Sequence, residues 1–181
     1  SEPRGMAGSY VALRRYAEAE TNFVHALEVS PGDVEAQVQL ATSRILSGDT
    51  ESAQRLLGAI AQGTDPQGTV SLLRFKLHVL LRQPDAALAT IAHSPDWLLA
   101  RFEHSATPIG LLRGQALAMQ GKTAAARDAF LQARQALQDR LKNPITAADA
   151  LSYLGLVDAG IGEKQSALEA GRAAVEQLSR S

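Results

Sequence analysis

The chain has 181 residues, of which 45% are apolar and only 4% aromatic, and its 18 basic and 19 acidic side chains leave a formal net charge of −1. It is long enough to bury a sizeable core. It lacks the basic stripe of a nucleic-acid-binding surface and the apolar run of about 18 residues that a membrane-spanning helix needs. Cysteine is absent, which excludes disulfides and thiolate metal sites. Ala and Leu dominate the apolar residues, which favours close-packed helices over sheets.

The first two predicted helices lie at residues 3–13 and within residues 14–31. In the second, Ala19, Phe23 and Leu27 fall on one face, because three or four residues make about one helical turn. The small Ala19 lets a neighbouring helix approach closely, and Phe23 fills the space beside it. Pro31 cannot continue a helix, so the chain turns there.

This arrangement of a small and a large residue recurs along the chain. Gly48 lies between two helical runs, where a C-cap and a turn are expected, and Pro84 opens a later helix at a first-turn position. The small and large residues recur at equal intervals, which predicts a repeat, with the pairs Ala19/Phe23, Ala53/Leu57 and Ala87/Ile91.

The period lengthens after the third copy. The interval from Ala87 to Ala126 is longer than the one from Ala53 to Ala87, and the interval from Ala126 to Ala167 is longer still. We expect the first insertion, at residues 95–106, to form a short helix or an ordered loop around the single Trp97. This residue either packs the insert onto the neighbouring repeat or serves as a binding hot spot. The second insertion is expected to lengthen a helix to about Leu141.

The A-x3-F…P ending of residues 19–31 resembles the second helix of a tetratricopeptide repeat (TPR). The resemblance implies an all-α fold, a right-handed superhelical array of about five antiparallel helix pairs with no sheet. The whole chain, 1–181, would be one TPR domain with an insert at 95–106. Its approximate repeats are 1–33, 34–67, 68–94, 107–141 and 147–179, of which the third is degenerate.

Four residues depart from the family pattern. A Tyr-like packing residue is common at the positions of Arg44, His78 and Asp158, and Gly171 stands where Phe23 and Phe130 stand in other copies. In the last helix the polar cover is thin. We therefore expect this helix to be covered by following residues, by another domain or by a second copy in a homo-oligomer, although its polar residues alone could also solvate it.

No residue pattern indicates catalysis. The histidines lack the helical spacing of metal ligands, so we expect them to be solvated or hydrogen-bonded. Residues 155–164, GLVDAGIGEK, lack the Lys position and the preceding strand of a phosphate loop, and the resemblance explains their glycines as helix-packing and turn residues. We therefore expect no enzyme activity, no metal and no cofactor.

In TPR proteins the first helix of each pair lines the concave surface. The resemblance therefore predicts a partner-binding stripe, whose apolar character suits an amphipathic helix or an extended apolar segment. Part of the stripe could equally be inter-repeat core. Lys76 and Thr42 are too few polar groups for the Lys/Asn carboxylate clamp of some TPR grooves. The predicted positions are Val38, Thr42, Ile45, Leu72, Lys76, Val79, Leu111, Gln115, Ser152 and Leu156.

The expected function is a protein–protein interaction scaffold whose partner is a protein or peptide, not nucleic acid or membrane. Two alternatives are a regulatory ligand-sensing domain and an accessory part of an enzyme whose catalytic domain lies elsewhere. The chain begins SEPRGMAG without an initiator Met, and its fourth and fifth repeats resemble TPR segments of bacterial signalling proteins. We therefore expect a piece of a larger bacterial protein, located in the cytoplasm, with the periplasm left open.

Overall fold

The computed structural model describes residues 16–61, 64, 68–100 and 105–178. The helix predicted at residues 3–13 lies outside them. The chain divides into two compact units, Ser1–Pro66 and Gln67–Ser181. The described residues form nine helices, which confirms the all-α fold class.

The first unit contains three helices, α1 (Tyr16–Val29), α2 (Val34–Ser47) and α3 (Thr50–Ala59). The Asp33 carboxylate begins α2 by accepting a hydrogen bond from the Ala36 N–H at 3.1 Å, as an N-cap does. Gly48 ends α2 with φ +92°, a left-handed conformation that glycine adopts without strain. The expected C-cap and turn are thus confirmed.

The core of the first unit forms around the predicted small and large residues. Ala19 and Phe23 of α1 and Leu40 of α2 are buried together, and Leu27 and Leu56 pack against them. α1 packs on α2, and α2 on α3. The apolar face deduced from the spacing of α1 is therefore the buried one.

The second unit contains the other elements. They are α4 (Thr69–Leu80), α5 (Pro84–Ile91), β1 (Trp97–Ala100), β2 (Ser105–Pro108), α6 (Ile109–Met119), α7 (Thr123–Leu141), α8 (Pro144–Ile161) and α9 (Lys164–Leu178). Pro84 occupies the first turn of α5, and α7 ends at Leu141, both as predicted.

The insert does not form the helix or loop that was expected. β1 and β2 form a two-stranded antiparallel hairpin, so the prediction of a fold without any sheet was wrong. The Ile109 N–H donates to the Asp96 carbonyl at 2.8 Å. In an antiparallel ladder this makes the adjacent pair, Trp97 and Pro108, a non-hydrogen-bonded one. Pro108 therefore loses no ladder bond through its missing N–H.

Two apolar clusters fill the second unit. Leu98 of the hairpin inserts into the first, and Phe130 of α7 lies in the second. The first cluster contains Leu72, Phe75, Ala87, Ile91, Leu98, Ile109, Leu112 and Ala116. The second contains Leu111, Ala126, Phe130, Ala133, Leu137, Ala150, Val157 and Ile161. The four alanines of the repeat pattern, Ala19, Ala53, Ala87 and Ala126, are all buried, as predicted.

Candidate protein-binding surface

The predicted stripe residues of the first unit lie on α2. Val38 is buried, whereas Thr42 is half-buried. The Thr42 hydroxyl donates to the Val38 carbonyl at 2.8 Å, so much of its hydrogen-bonding capacity is used within the helix. Of these two residues, Thr42 is the more accessible, because it is half-buried whereas Val38 is buried.

In the second unit the predicted residues separate into core and surface. Leu72 and Leu111 are buried, one in each apolar cluster. Gln115 is half-buried, and Lys76 and Ser152 are exposed. A partner could thus reach Lys76, Gln115 and Ser152, whereas Leu72 and Leu111 hold the helices together.

Helix α8 presents an apolar side chain on its accessible face. Leu156 is 53% exposed and lies one turn after the exposed Ser152, so both are on the same face. The opposite face, with Ala150 and Val157, is buried in the second cluster. Since its other face already supplies the core contacts, the exposed Leu156 is available for a contact with another molecule.

Helix α4 has a similar exposed end. Leu80 is 55% exposed and lies one turn after Lys76. Leu80 was not among the predicted residues. The sequence signal for an exposed Leu80 is the unbroken apolar run Val79–Leu81, which is too wide for one buried stripe.

The hairpin holds Trp97 against the fourth helix pair. The Trp97 ring is half-buried against the second cluster, and the Arg140 guanidinium lies 4.6 Å from the ring centroid, within range of a cation–π interaction. The Thr107 hydroxyl on the adjacent strand β2 is hydrogen-bonded to the Tyr153 hydroxyl of α8 at 2.9 Å. Of the two interpretations of Trp97, the structure favours the packing one.

Two of the charged residues at Tyr-like positions make ion pairs between helices. Arg44 contacts the Glu20 carboxylate at 2.7 Å. Asp158 is only 1% exposed, and its Oδ1 lies 3.2 Å from Nε of Arg134. Burial raises the pKa of the Asp158 carboxyl, an effect that Arg134 opposes and Glu163 increases. Each of these ion pairs joins two neighbouring helices.

The remaining candidates for chemistry make local contacts. His25 lies 3.3 Å from Glu28, and His78 lies 3.0 Å from the Gln83 side chain. His93 is exposed, and His104 lies outside the described residues. Within the part of the chain that the structure describes, no three His, Asp or Glu side chains gather as metal ligands would.

The glycines of residues 155–164 have the packing and turn roles expected of them. A Cβ at Gly155 would come 3.2 Å from the Ala167 carbonyl oxygen, so this glycine lets α8 and α9 approach closely. Gly162 turns the chain between the same helices with φ +98°. The segment is a helix–turn–helix junction, which confirms the TPR explanation.

The fold and these surfaces define an α-helical repeat protein. The family model of the tetratricopeptide repeat-like domain matches residues 10–150. The chain therefore belongs to the tetratricopeptide repeat-like family. Proteins with such domains generally bind proteins or peptides, and the fold is typically non-catalytic, so the chain is an interaction scaffold in kind.

Solved structures of MamA, a TPR-containing protein, share the fold. A crystal structure of MamA aligns with a TM-score of 0.54 at 14% identity, covering 98% of this chain and 91% of MamA. MamA of AMB-1 gives 0.54 at 16%, with complete coverage of both chains. MamA of MSR-1 gives 0.53 at 18%, covering 98% of this chain and 95% of its own. At these identities the likeness concerns the fold alone.

No curated protein matches the chain. Among the described helices, none is both long and apolar enough to cross a membrane.

Proposed function

We propose that the chain is a non-catalytic module of a larger bacterial protein, which binds a partner protein through the accessible faces of its inner helices. The observation that carries this proposal is Leu156, which is 53% exposed on α8 although the other face of that helix is packed. A contiguous apolar patch rimmed by polar residues is typical of an interaction site, and Leu156 would be an apolar residue of such a patch. In the second unit, Ser152 lies one turn before Leu156 on α8, and Lys76 on α4 and Gln115 on α6 would supply further polar contacts to the partner.

The partner segment is proposed to be an amphipathic helix or an extended apolar segment. Leu156 and Leu80 are each more than half exposed and would bury apolar surface against it. The cation of Lys76 would favour a segment with an acidic residue. In the first unit, Thr42 would be the accessible residue of α2 for a partner. Buried Val38, Leu72 and Leu111 would support these surfaces from within.

The proposal is tested by affinity purification from the source bacterium with the chain as bait, followed by affinity measurement on the purified partner. Leu156→Glu places a charge in the proposed contact, so we expect a loss of binding of about tenfold or more. Lys76→Glu tests the accessible face of α4 in the same way. Both side chains are accessible, so circular dichroism should show unchanged helix content.

Leu131→Glu is the matched control, because Leu131 is also a partly exposed leucine but lies on α7, the second helix of its pair. Partner affinity that is unchanged in both Leu156→Glu and Lys76→Glu would contradict the proposed surface. A thermal-shift screen with small apolar molecules tests the ligand-sensing alternative. Stabilisation by such a molecule, lost in Leu156→Glu, would favour that alternative.

A further inference from the structure

Helix α9 carries an apolar stripe that no described residue covers. Leu168 is 48% exposed and Val175 is 67% exposed. Gly171 lies between them at the spacing that places all three on one face. A Cβ at Gly171 would have nothing within 4 Å, so the stripe has a notch at its centre. The α9 stripe is defined here as Leu168, Gly171 and Val175.

The equivalent face of α7, the second helix of the preceding pair, shows which neighbour packs on such a face. Second helices of pairs are called outer helices here. Ala167 stands one repeat after Ala126, and the same offset relates the α9 stripe to Arg127, Phe130 and Arg134 of α7. All three of these α7 residues contact α8. Arg127 donates to the Ile161 carbonyl at 2.9 Å.

The other two α7 residues make closer contacts with α8. Phe130 is only 4% exposed, and its ring lies so near Gly160 that a Cβ there would come within 2.6 Å of it. Arg134 pairs with the buried Asp158 at 3.2 Å. This face of an outer helix is thus the one on which a further helix packs.

The chemistry of the face differs between α7 and α9. On α7, Arg127 binds a carbonyl at the end of α8, and Arg134 pairs with the buried Asp158 carboxylate. At the same positions α9 has Leu168 and Val175, which suit a continuous apolar helix face. The aromatic ring is also missing, since Gly171 replaces Phe130. A helix packing on α9 must therefore bring its own bulky side chain to fill the notch.

The charged residues of α9 beside the stripe indicate which polar residues such a helix carries. At 100° per residue, Lys164 and Arg172 lie within about 60° of the apolar side chains of the stripe, whereas Glu169 and Glu176 lie about 80° or more away. Both Lys164 and Arg172 are exposed. The Glu169 carboxylate accepts a hydrogen bond from the Gln165 side chain at 2.8 Å. The border of the stripe is thus basic, and acidic residues complement it.

We propose that the α9 stripe is a second docking site, separate from the inner-helix surface, for an amphipathic helix of a partner protein. This helix carries one aromatic or large aliphatic residue at the level of Gly171 and acidic residues on its borders. The partner helix takes the place on α9 that α8 takes on α7.

The test uses the full chain and a fluorescein-labelled helical peptide of the same length as α8. The peptide has leucines at helical spacing, a central Phe and glutamates on both borders of the apolar face. Two matched peptides replace the Phe by Ala or the glutamates by Lys. Fluorescence anisotropy should show saturable binding of the first peptide, and a weakening of about tenfold for each of the other two.

Protein variants locate the site. Gly171→Leu fills the notch, where an added Cβ meets nothing within 4 Å, and replaces a poor helix former by a good one. It should therefore weaken binding of the Phe peptide about tenfold while the fold is retained. Val175→Glu should do the same. Leu131→Glu on α7 is the control and should leave the affinity for this peptide unchanged, because Leu131 lies on another helix and outside the α9 stripe.

Several outcomes would overturn the proposal. They are no saturable binding, equal affinity for all three peptides, or an affinity that Gly171→Leu leaves unchanged. Sedimentation velocity tests the other possible occupant of the stripe, a second copy of the chain. If the chain forms a dimer that Val175→Glu dissociates, the stripe is occupied by a second copy and the proposed partner helix is wrong. A failure of the inner-helix surface would instead appear as an affinity for the purified partner protein that both Leu156→Glu and Lys76→Glu leave unchanged.

Discussion

Asp158 is a carboxyl group whose charge is costly in the folded chain. It is 1% exposed, and burial raises its pKa although Arg134 lies beside it. The folded chain therefore holds the proton more tightly than the unfolded chain does. The stabilising contribution of this group is full below about pH 4, the ordinary pKa of aspartate, and is lost as the pH rises through the raised pKa.

We predict that the wild type gains stability relative to Asp158→Asn as the pH falls from 7 towards 4. The measurement is the urea unfolding midpoint of both proteins at several pH values. Asp139→Asn is the control, because a hydrogen bond from Lys142 lowers the pKa of the exposed Asp139. The stabilising contribution of Asp139 is lost as the pH falls. The wild type should therefore lose a small amount of stability relative to Asp139→Asn over the same pH range. A wild-type advantage over Asp158→Asn that does not vary with pH would contradict this account.

Ala53 tests the repeat register at a single position. It is fully buried in α3, so Ala53→Leu should overpack the helix crossing and cost about 1–3 kcal/mol of unfolding free energy. Ala59→Leu is the matched control on the same helix, because Ala59 is exposed, and it should change stability by less than about 0.5 kcal/mol. If chemical denaturation shows no difference between the two variants, Ala53 is not the crossing residue.

At the scale of the helix, the packing of α6, α7 and α8 depends on one aromatic ring between two glycines. A Cβ at Gly114 would come 2.5 Å from the Phe130 ring, and one at Gly160 would come 2.6 Å from it. The ring cannot move away from either helix without meeting the other. The glycines therefore set how closely α6 and α8 approach α7.

We predict that Gly160→Ala destabilises the chain although alanine favours helix. Gly171→Ala is the matched control, since a Cβ there meets nothing within 4 Å, and it should gain up to about 1 kcal/mol from helix propensity. Thermal unfolding followed by circular dichroism compares the two. Stabilisation by both substitutions would show that Phe130 is not held between the two glycines.

The helices were predictable because their spacing is a local signal. Ala19, Phe23 and Pro31 determine a buried face and an end without reference to the rest of the chain. The β1–β2 hairpin was not predictable, since the run WLLA is as apolar as a helical turn and its pairing depends on contacts made elsewhere. Among these contacts are those of Leu98, which is buried in the first cluster.

The candidate site was predictable only in part, because periodicity shows which face is apolar but not how much of it is covered. Leu111 and Leu156 are both apolar inner-helix positions. The structure buries Leu111 and leaves Leu156 exposed, since coverage depends on the neighbouring helix. Whether the accessible residues bind a partner remains a prediction.

At the scale of the molecule, the division into two units makes a further prediction. Both large apolar clusters consist of residues from the unit Gln67–Ser181. We therefore predict that a fragment of residues 67–181 folds by itself, with helical circular dichroism and a cooperative thermal transition, because it contains every residue of both clusters.

A shorter fragment, residues 109–181, is the control that shows whether core completeness is the reason. It lacks α4, α5 and the hairpin, so Ile109, Leu112 and Ala116 of the first cluster lose their partners and become exposed to water. Its transition should lie at a markedly lower temperature, and it should bind the hydrophobic dye ANS. If the 67–181 fragment shows no cooperative transition, its two clusters are insufficient for folding, and the second unit depends on the first for its stability.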